Sequence, residues 1–108
     1  MKCYLITGIA GFIGSAIARR LIRNGHKVVG VDNFMTGFAH NVPAEAEFFE
    51  FDISEYASFE RLSSFKFDAV LHLAAQSSGE ISYDNPSYDV LSNTMGTLNA
   101  LRFAEASG

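Results

Sequence analysis

Three glycines, Gly8, Gly11 and Gly14, sit between a short apolar run and an amphipathic one, and no other feature narrows the fold as far. The run ahead of them, Lys2-Cys3-Tyr4-Leu5-Ile6-Thr7, has strand length and no polar alternation. That pattern suits a parallel strand buried on both faces. Behind them, from Phe12 to about Asn24, Ile13, Ala16, Ile17 and Leu21 recur at helical spacing. Arg19, Arg20 and Arg23 lie off that stripe, and Asn24-Gly25 supplies a C-terminal stop. A glycine triplet between a strand and a helix makes a phosphate-binding turn. Gly8 allows the tight turn, Gly11 lets the backbone approach a pyrophosphate, and Gly14 lets helix and strand pack closely. The helix N-terminus then aims free amides and a partial positive charge at the phosphates. A tight turn with close packing would use the same glycines, but the strand–turn–helix context favours the phosphate reading.

The remaining elements extend this unit. Lys27-Val28-Val29-Gly30-Val31-Asp32 reads as a second strand. Residues 33–45 lack a period and read as a loop with at most a turn of helix. Glu47 to Phe51 is a third strand, and Asp52-Ile53-Ser54-Glu55 opens a short helix through Phe59 and Leu62. Asp68 to Ala74 is a fourth strand. A polar loop follows over residues 76–85, then Asp84-Asn85-Pro86 opens a long helix with proline in its first turn. Tyr88, Leu91, Met95, Leu98 and Leu101 or Arg102 follow the helical spacing, and Ser107-Gly108 is helix-terminating chemistry. This order predicts an α/β fold, a Rossmann-type doubly wound parallel sheet with strand order 3-2-1-4, truncated after about four strands. The fourth strand is then an open edge, inviting pairing or self-association.

Two aspartates fall where strands end. Asp32 closes the second strand, where an acidic side chain accepts hydrogen bonds from the adenosine ribose hydroxyls. It would repel a 2′-phosphate, and no arginine follows nearby, which points to NAD over NADP. An ordinary strand-ending aspartate is the alternative. Asp52, after the third strand, admits two roles. It can hydrogen-bond an adenine amino group, with Ile53 offering its backbone amide, or form a capping box with Glu55.

Composition excludes several classes of function. A formal net charge of −4 gives no basic footprint for nucleic acid or an anionic membrane. With 48% hydrophobic and 19% charged residues, 108 residues make one compact domain. A lone cysteine, Cys3, sits in an apolar run as a buried structural thiol and fits a reducing compartment. His26, His40 and His72 show no ligand spacing, so no metal is expected. The glycines interrupting the first apolar run and Arg19-Arg20 after it argue against a signal peptide, and no apolar stretch is long enough to span a bilayer. A cytoplasmic protein is expected.

The motifs taken together resemble the extended short-chain dehydrogenase/reductases, specifically their NAD-dependent epimerase/dehydratase branch. The matching residues are Thr7-Gly8, Gly11-Phe12-Ile13-Gly14-Ser15, Val31-Asp32-Asn33, Asp52-Ile53, His72-Leu73-Ala74-Ala75-Gln76, Asn93, and Gly96 through Leu101. They run in family order across nearly the whole chain. The resemblance implies NAD as cofactor and a nucleotide-sugar as substrate of the full-length relative. It also implies that Leu73-Ala74-Ala75 pass under the cofactor and that Asn93 faces that region from its helix. Gln76 to Tyr83 would form a substrate-side loop. His72 reads as a satisfied core histidine, and Gly96-Thr97 as a close approach of helix to sheet.

The family's chemistry uses a tyrosine with a lysine four residues later. Residues four places after Tyr4, Tyr56, Tyr83 and Tyr88 are Gly8, Glu60, Ser87 and Ser92. The pair is therefore expected beyond Gly108, with the remaining strands and a sugar-binding lobe, leaving no catalytic residue within the chain. Residues 1–108 are then the N-terminal part of the NAD(P)-binding domain of a nucleotide-sugar epimerase or dehydratase. A non-catalytic dinucleotide-binding module or subunit, and a reductase of a non-sugar substrate in the same family, are the competing readings.

Overall fold

A computed structural model describes residues 1–35, 37–75 and 83–107. Four parallel strands, β1 (Cys3–Thr7), β2 (Lys27–Asp32), β3 (Glu47–Glu50) and β4 (Ala69–His72), form one sheet in the order β3-β2-β1-β4. This is the expected topology. Leu5 pairs with Val29 on one side and Val70 on the other, so β1 is central and Leu5, Ile6 and Thr7 are wholly buried.

Burial on both faces explains the unbroken apolar runs. On one face Leu5, Val29 and Val31 pack with Phe51, Ile53, Phe59, Leu62 and Phe103. On the other, Ile6 and Val28 pack with Ile9 and Ala18. Helix α1 (Phe12–Arg23) covers the second face. Its stop is a Schellman motif, in which the Gly25 amide reaches the Ile22 carbonyl and the His26 amide reaches that of Leu21. Gly25 takes φ +87°, as this motif requires.

The first face is covered by a 3-10 helix (Tyr56–Leu62) and by the C-terminal helical run. That run is α2 (Pro86–Val90), a π turn (Leu91–Met95) and α3 (Gly96–Ala106). Asn85 caps α2 by accepting from the Tyr88 amide, with Pro86 following as expected. The helical spacing of Leu91, Met95, Leu98 and Leu101 is real, but these side chains point outward; Ser92, Gly96, Asn99, Ala100 and Phe103 are the buried ones. The cause is a close approach, since a Cβ on Gly96 would stand 2.6 Å from Ile53 Cδ1.

Strands β1, β3 and β4 are shorter than the sequence reading: Lys2 lies ahead of β1, and Leu73 and Ala74 lie past β4. Phe51 lies past β3, bonding the Asp32 carbonyl through its amide. Asp68 lies before β4 and accepts from the Cys3 amide through Oδ2 at 2.7 Å. Cys3 is partly rather than wholly buried; desolvation still pushes its thiol up, and Lys27 offsets only part of that effect, which favours the protonated form. Among the described residues no helix is long and apolar enough to cross a membrane, and no cluster of metal ligands occurs.

Candidate nucleotide-binding site

The cleft lies at the carboxyl end of the sheet, between the β1–α1 turn and the exits of β2, β3 and β4, and encloses about 280 Å³. Open α/β sheets bind ligands in this position. Gly8 takes φ +79° and donates its amide to the Val31 carbonyl, so the turn is anchored on β2. A Cβ here would stand 2.7 Å from the Ala74 amide nitrogen, which is why β4's exit can lie against the turn. At Gly14 a Cβ would collide with the Gly8 carbonyl. Gly14 thus sets how closely α1 approaches the turn, as its spacing predicts.

Helix α1 starts at Gly11 with no side-chain cap and no acidic residue in its first turn. The amides of Phe12, Ile13 and Gly14 therefore have no acceptor within the helix, and all three residues line the cleft. The Ala10 amide is diverted to Asp32 Oδ2 at 2.9 Å. The other Asp32 oxygen accepts from the Phe34 amide at 2.8 Å, holding Phe34 in a left-handed conformation at φ 59°. Asp32 thus organises the loop around the cleft as well as facing it. Each carboxylate oxygen keeps a lone pair for a ligand hydroxyl.

The capping-box alternative for Asp52 is not what forms. Its Oδ1 accepts from the Ser54 amide at 2.9 Å in an Asx turn, and the 3-10 helix begins after Glu55 without a side-chain cap. Asp52 and Ile53 both line the cleft. The wholly buried Asn99 donates Nδ2 to the Ile53 carbonyl at 2.8 Å and fixes this corner from α3.

On the opposite wall, Thr7 Oγ1 accepts from the amides of Leu73 (3.1 Å) and Ala74 (3.2 Å). This holds Leu73, Ala74 and Ala75 along the cleft as expected. His72 is half-buried and satisfied, contacting Thr7 Oγ1 through Nδ1 at 2.7 Å and Thr97 Oγ1 through Nε2 at 3.1 Å. Burial lowers its pKa and favours the neutral ring.

All the expected cofactor residues line this cleft except Asn93. Asn93 is exposed in the π turn and bonds Asp89 Oδ1 at 2.8 Å; its neighbour Ser92 is the buried one that reaches the cleft. Tyr88, Met35 and Gly37 also line it. Tyr88 could have been suspected only from its place on the helix, for no motif marks it; its hydroxyl accepts from Asn33 Nδ2 at 3.3 Å. Met35 and Gly37 fall in the stretch that has no period. The loop expected from Gln76 to Tyr83 lies outside the described residues except for Tyr83, which is exposed.

A doubly wound sheet with a glycine turn, an uncapped helix N-terminus and a strand-ending carboxylate on one cleft defines a dinucleotide-binding Rossmann fold. The chain belongs to the NAD dependent epimerase/dehydratase family, whose model matches residues 4–108. It is 38% identical to a UDP-glucose 4-epimerase of Mycolicibacterium smegmatis, over 96% of this chain and 35% of that protein. It is also 38% identical to UDP-glucuronic acid decarboxylase 1 of Danio rerio, over 99% of this chain and 25% of that protein. The crystal structure of Thermus thermophilus UDP-glucose 4-epimerase in complex with NAD superposes with a TM-score of 0.91 at 38% identity, covering 98% of this chain and 34% of that one. The chain thus spans a quarter to about a third of the length of these relatives.

Proposed function

We propose that residues 1–108 are the NAD-binding portion of a nucleotide-sugar epimerase or dehydratase. The observation that carries this reading is one cleft lined both by the uncapped first turn of α1 and by Asp32. The amides of Phe12, Ile13 and Gly14 would hold the pyrophosphate, with Gly8 and Gly11 leaving it room. Asp32 and Asn33 would take the adenosine ribose, and Asp52 with the Ile53 amide the adenine. Leu73, Ala74 and Ala75 would form the floor, and Asn93 would approach from the helical run when the rest of the site is in place. NAD would supply the hydride acceptor for a sugar hydroxyl in the full-length protein. This chain's own residues bind and orient, because none of its tyrosines precedes a lysine by four positions.

The near-equal identity to an epimerase and to a decarboxylase supports a division of labour within the family. The shared portion would hold the cofactor, and the choice of reaction and sugar would be made elsewhere. In the same reading, the edge of β4, outermost in the sheet among the described residues, is where a further strand, or a second copy, would pair.

Calorimetric titration with NAD, NADP and ADP tests the site. NAD and ADP are expected to bind comparably, and NADP more weakly. Because Asp32 also holds two backbone amides, alanine there would damage the turn; Asp32→Asn removes the charge with less disturbance. It should narrow the gap between NAD and NADP. NADP binding as tightly as NAD to the unmodified chain would refute the assigned role of Asp32, and no binding of any of the three would refute the site.

A further inference from the structure

The hydrogen bonds around His72 leave one consistent set of proton positions. Thr97 Oγ1 lies 2.8 Å from the Asn93 carbonyl oxygen, which can only accept, so the single Thr97 hydroxyl proton is spent there. The 3.1 Å contact between Thr97 Oγ1 and His72 Nε2 is then Nε2–H donating. At the other end, Thr7 Oγ1 receives the Ala74 amide and a share of the Leu73 amide, which also bonds the Thr7 carbonyl. Thr7 is wholly buried, so its own proton must find an acceptor inside the protein. The acceptor available at 2.7 Å is an unprotonated His72 Nδ1.

We propose that His72 is a positioning residue: as the neutral Nε2–H tautomer it orients the Thr7 hydroxyl so that its lone pairs face the Leu73 and Ala74 amides, and protonating the ring releases this wall of the cleft. In the imidazolium both nitrogens donate. A proton on Nδ1 would face an oxygen already taken by backbone amides, and the Thr7 proton would lose its acceptor. The side chain that the sequence marks as core packing therefore ties α3, the centre of the sheet and the cleft wall together.

Burial alone displaces the titration of His72, toward lower pH. The ionisable side chains on the surrounding elements are Cys3 and Tyr4 on β1, Asp68 ahead of β4, Tyr88 and Asp89 on α2, and Arg102 and Glu105 on α3. None of them contributes to that displacement. The consequence for ligands rests on the nucleotide-site reading above; the proton arrangement does not.

The test is NMR of the full chain between pH 8 and pH 4.5, following the His72 ring nitrogens and exchange of the Ala74 amide. The Nε2–H tautomer is expected at neutral pH. Relative to the intrinsic rate at each pH, the protection of Ala74 against exchange should fall roughly three- to tenfold, the worth of one net hydrogen bond, as His72 protonates, while the Leu5 and Val29 amides keep theirs. His72→Phe should show the lowered protection at every pH. His72→Asn keeps an acceptor for Thr7 and should hold Ala74 protected without the pH step. If His72→Phe does not fold, the wild-type titration and His72→Asn still decide. A ring protonated at Nδ1 at neutral pH, or Ala74 protection indifferent to the state of His72, overturns the proposal. NAD affinity of the same samples is a separate reading: failure of NAD to bind the unmodified chain refutes the site and leaves the tautomer and exchange results to stand or fall alone.

Discussion

Replacing Gly14 by alanine sets two opposed effects against each other. Alanine in a helix is favoured over glycine by roughly 1 kcal/mol, so helix α1 alone would gain from the change. The new methyl group, however, meets the Gly8 carbonyl oxygen and lies 2.9 Å from its carbon and 3.2 Å from Ile9 Cα. These are backbone atoms of the turn that β2 holds, and no side-chain rotation relieves the contact. Overpacking costs about 1–3 kcal/mol, and rigid backbone neighbours place this site toward the upper end. The net expectation is a loss of about 1–2 kcal/mol. Gly25→Ala is the matched control. It has φ +87° and nothing within 4 Å of an added Cβ, so it bears only the left-handed strain of about 1–2 kcal/mol. Urea unfolding should therefore rank the two variants as similar. ADP titration should separate them, because only Gly14→Ala pushes the first turn of α1 away from the cleft. A Gly14→Ala chain that is more stable than the parent, or that binds ADP as well as Gly25→Ala does, would refute the close-packing account of the turn.

Three further outcomes follow from the packing. Asn99→Leu removes the donor to the buried Ile53 carbonyl and should cost about 1–3 kcal/mol in urea unfolding, with weaker ADP binding through the displaced Asp52–Ile53 corner. Phe59 is 2% exposed at the centre of an aromatic cluster with Phe51, Tyr56 and Phe103; Phe59→Ala should cost about 3–5 kcal/mol, and a loss below 1 kcal/mol would show that this face is not the core. His72 titrates lower when folded than its ordinary 6.5, so its contribution to stability is complete above that pH and is lost as pH falls toward the folded value. His72→Asn should flatten that part of the stability–pH curve, and an unchanged slope would assign it to other groups.

The topology and most of the cleft were legible in the residues because their causes are local. A parallel strand buried on both faces must be apolar without alternation, and a turn at φ +79° calls for glycine. The role of Asp32 in shaping the loop was not legible. It depends on which backbone amides, Ala10 and Phe34, the folded chain brings to the carboxylate. The choice between adenine contact and capping at Asp52 had the same character, since only the folded geometry shows the Asx turn replacing the cap.

The helical faces show why periodicity found the right elements but only part of the buried side. In α1 Ile17 and Leu21 of the apolar stripe pack against the core, but the fully buried residues are Gly14, Ser15 and Ala18, and Ile13 at the cleft end is 61% exposed. In the C-terminal run Ser92, Gly96 and Ala100 are buried and Leu91, Met95, Leu98 and Leu101 are not. Hydropathy weights large side chains, but a helix that must lie close to the backbone near the cleft can bring only small ones there. The same close approach that places Gly14 against the Gly8 carbonyl and Gly96 against Ile53 turns larger residues away. Packing and site are thus one constraint: the small-residue faces let both helices reach the cleft, and the amides of α1 and the Asn99 anchor of α3 act there because nothing bulky intervenes.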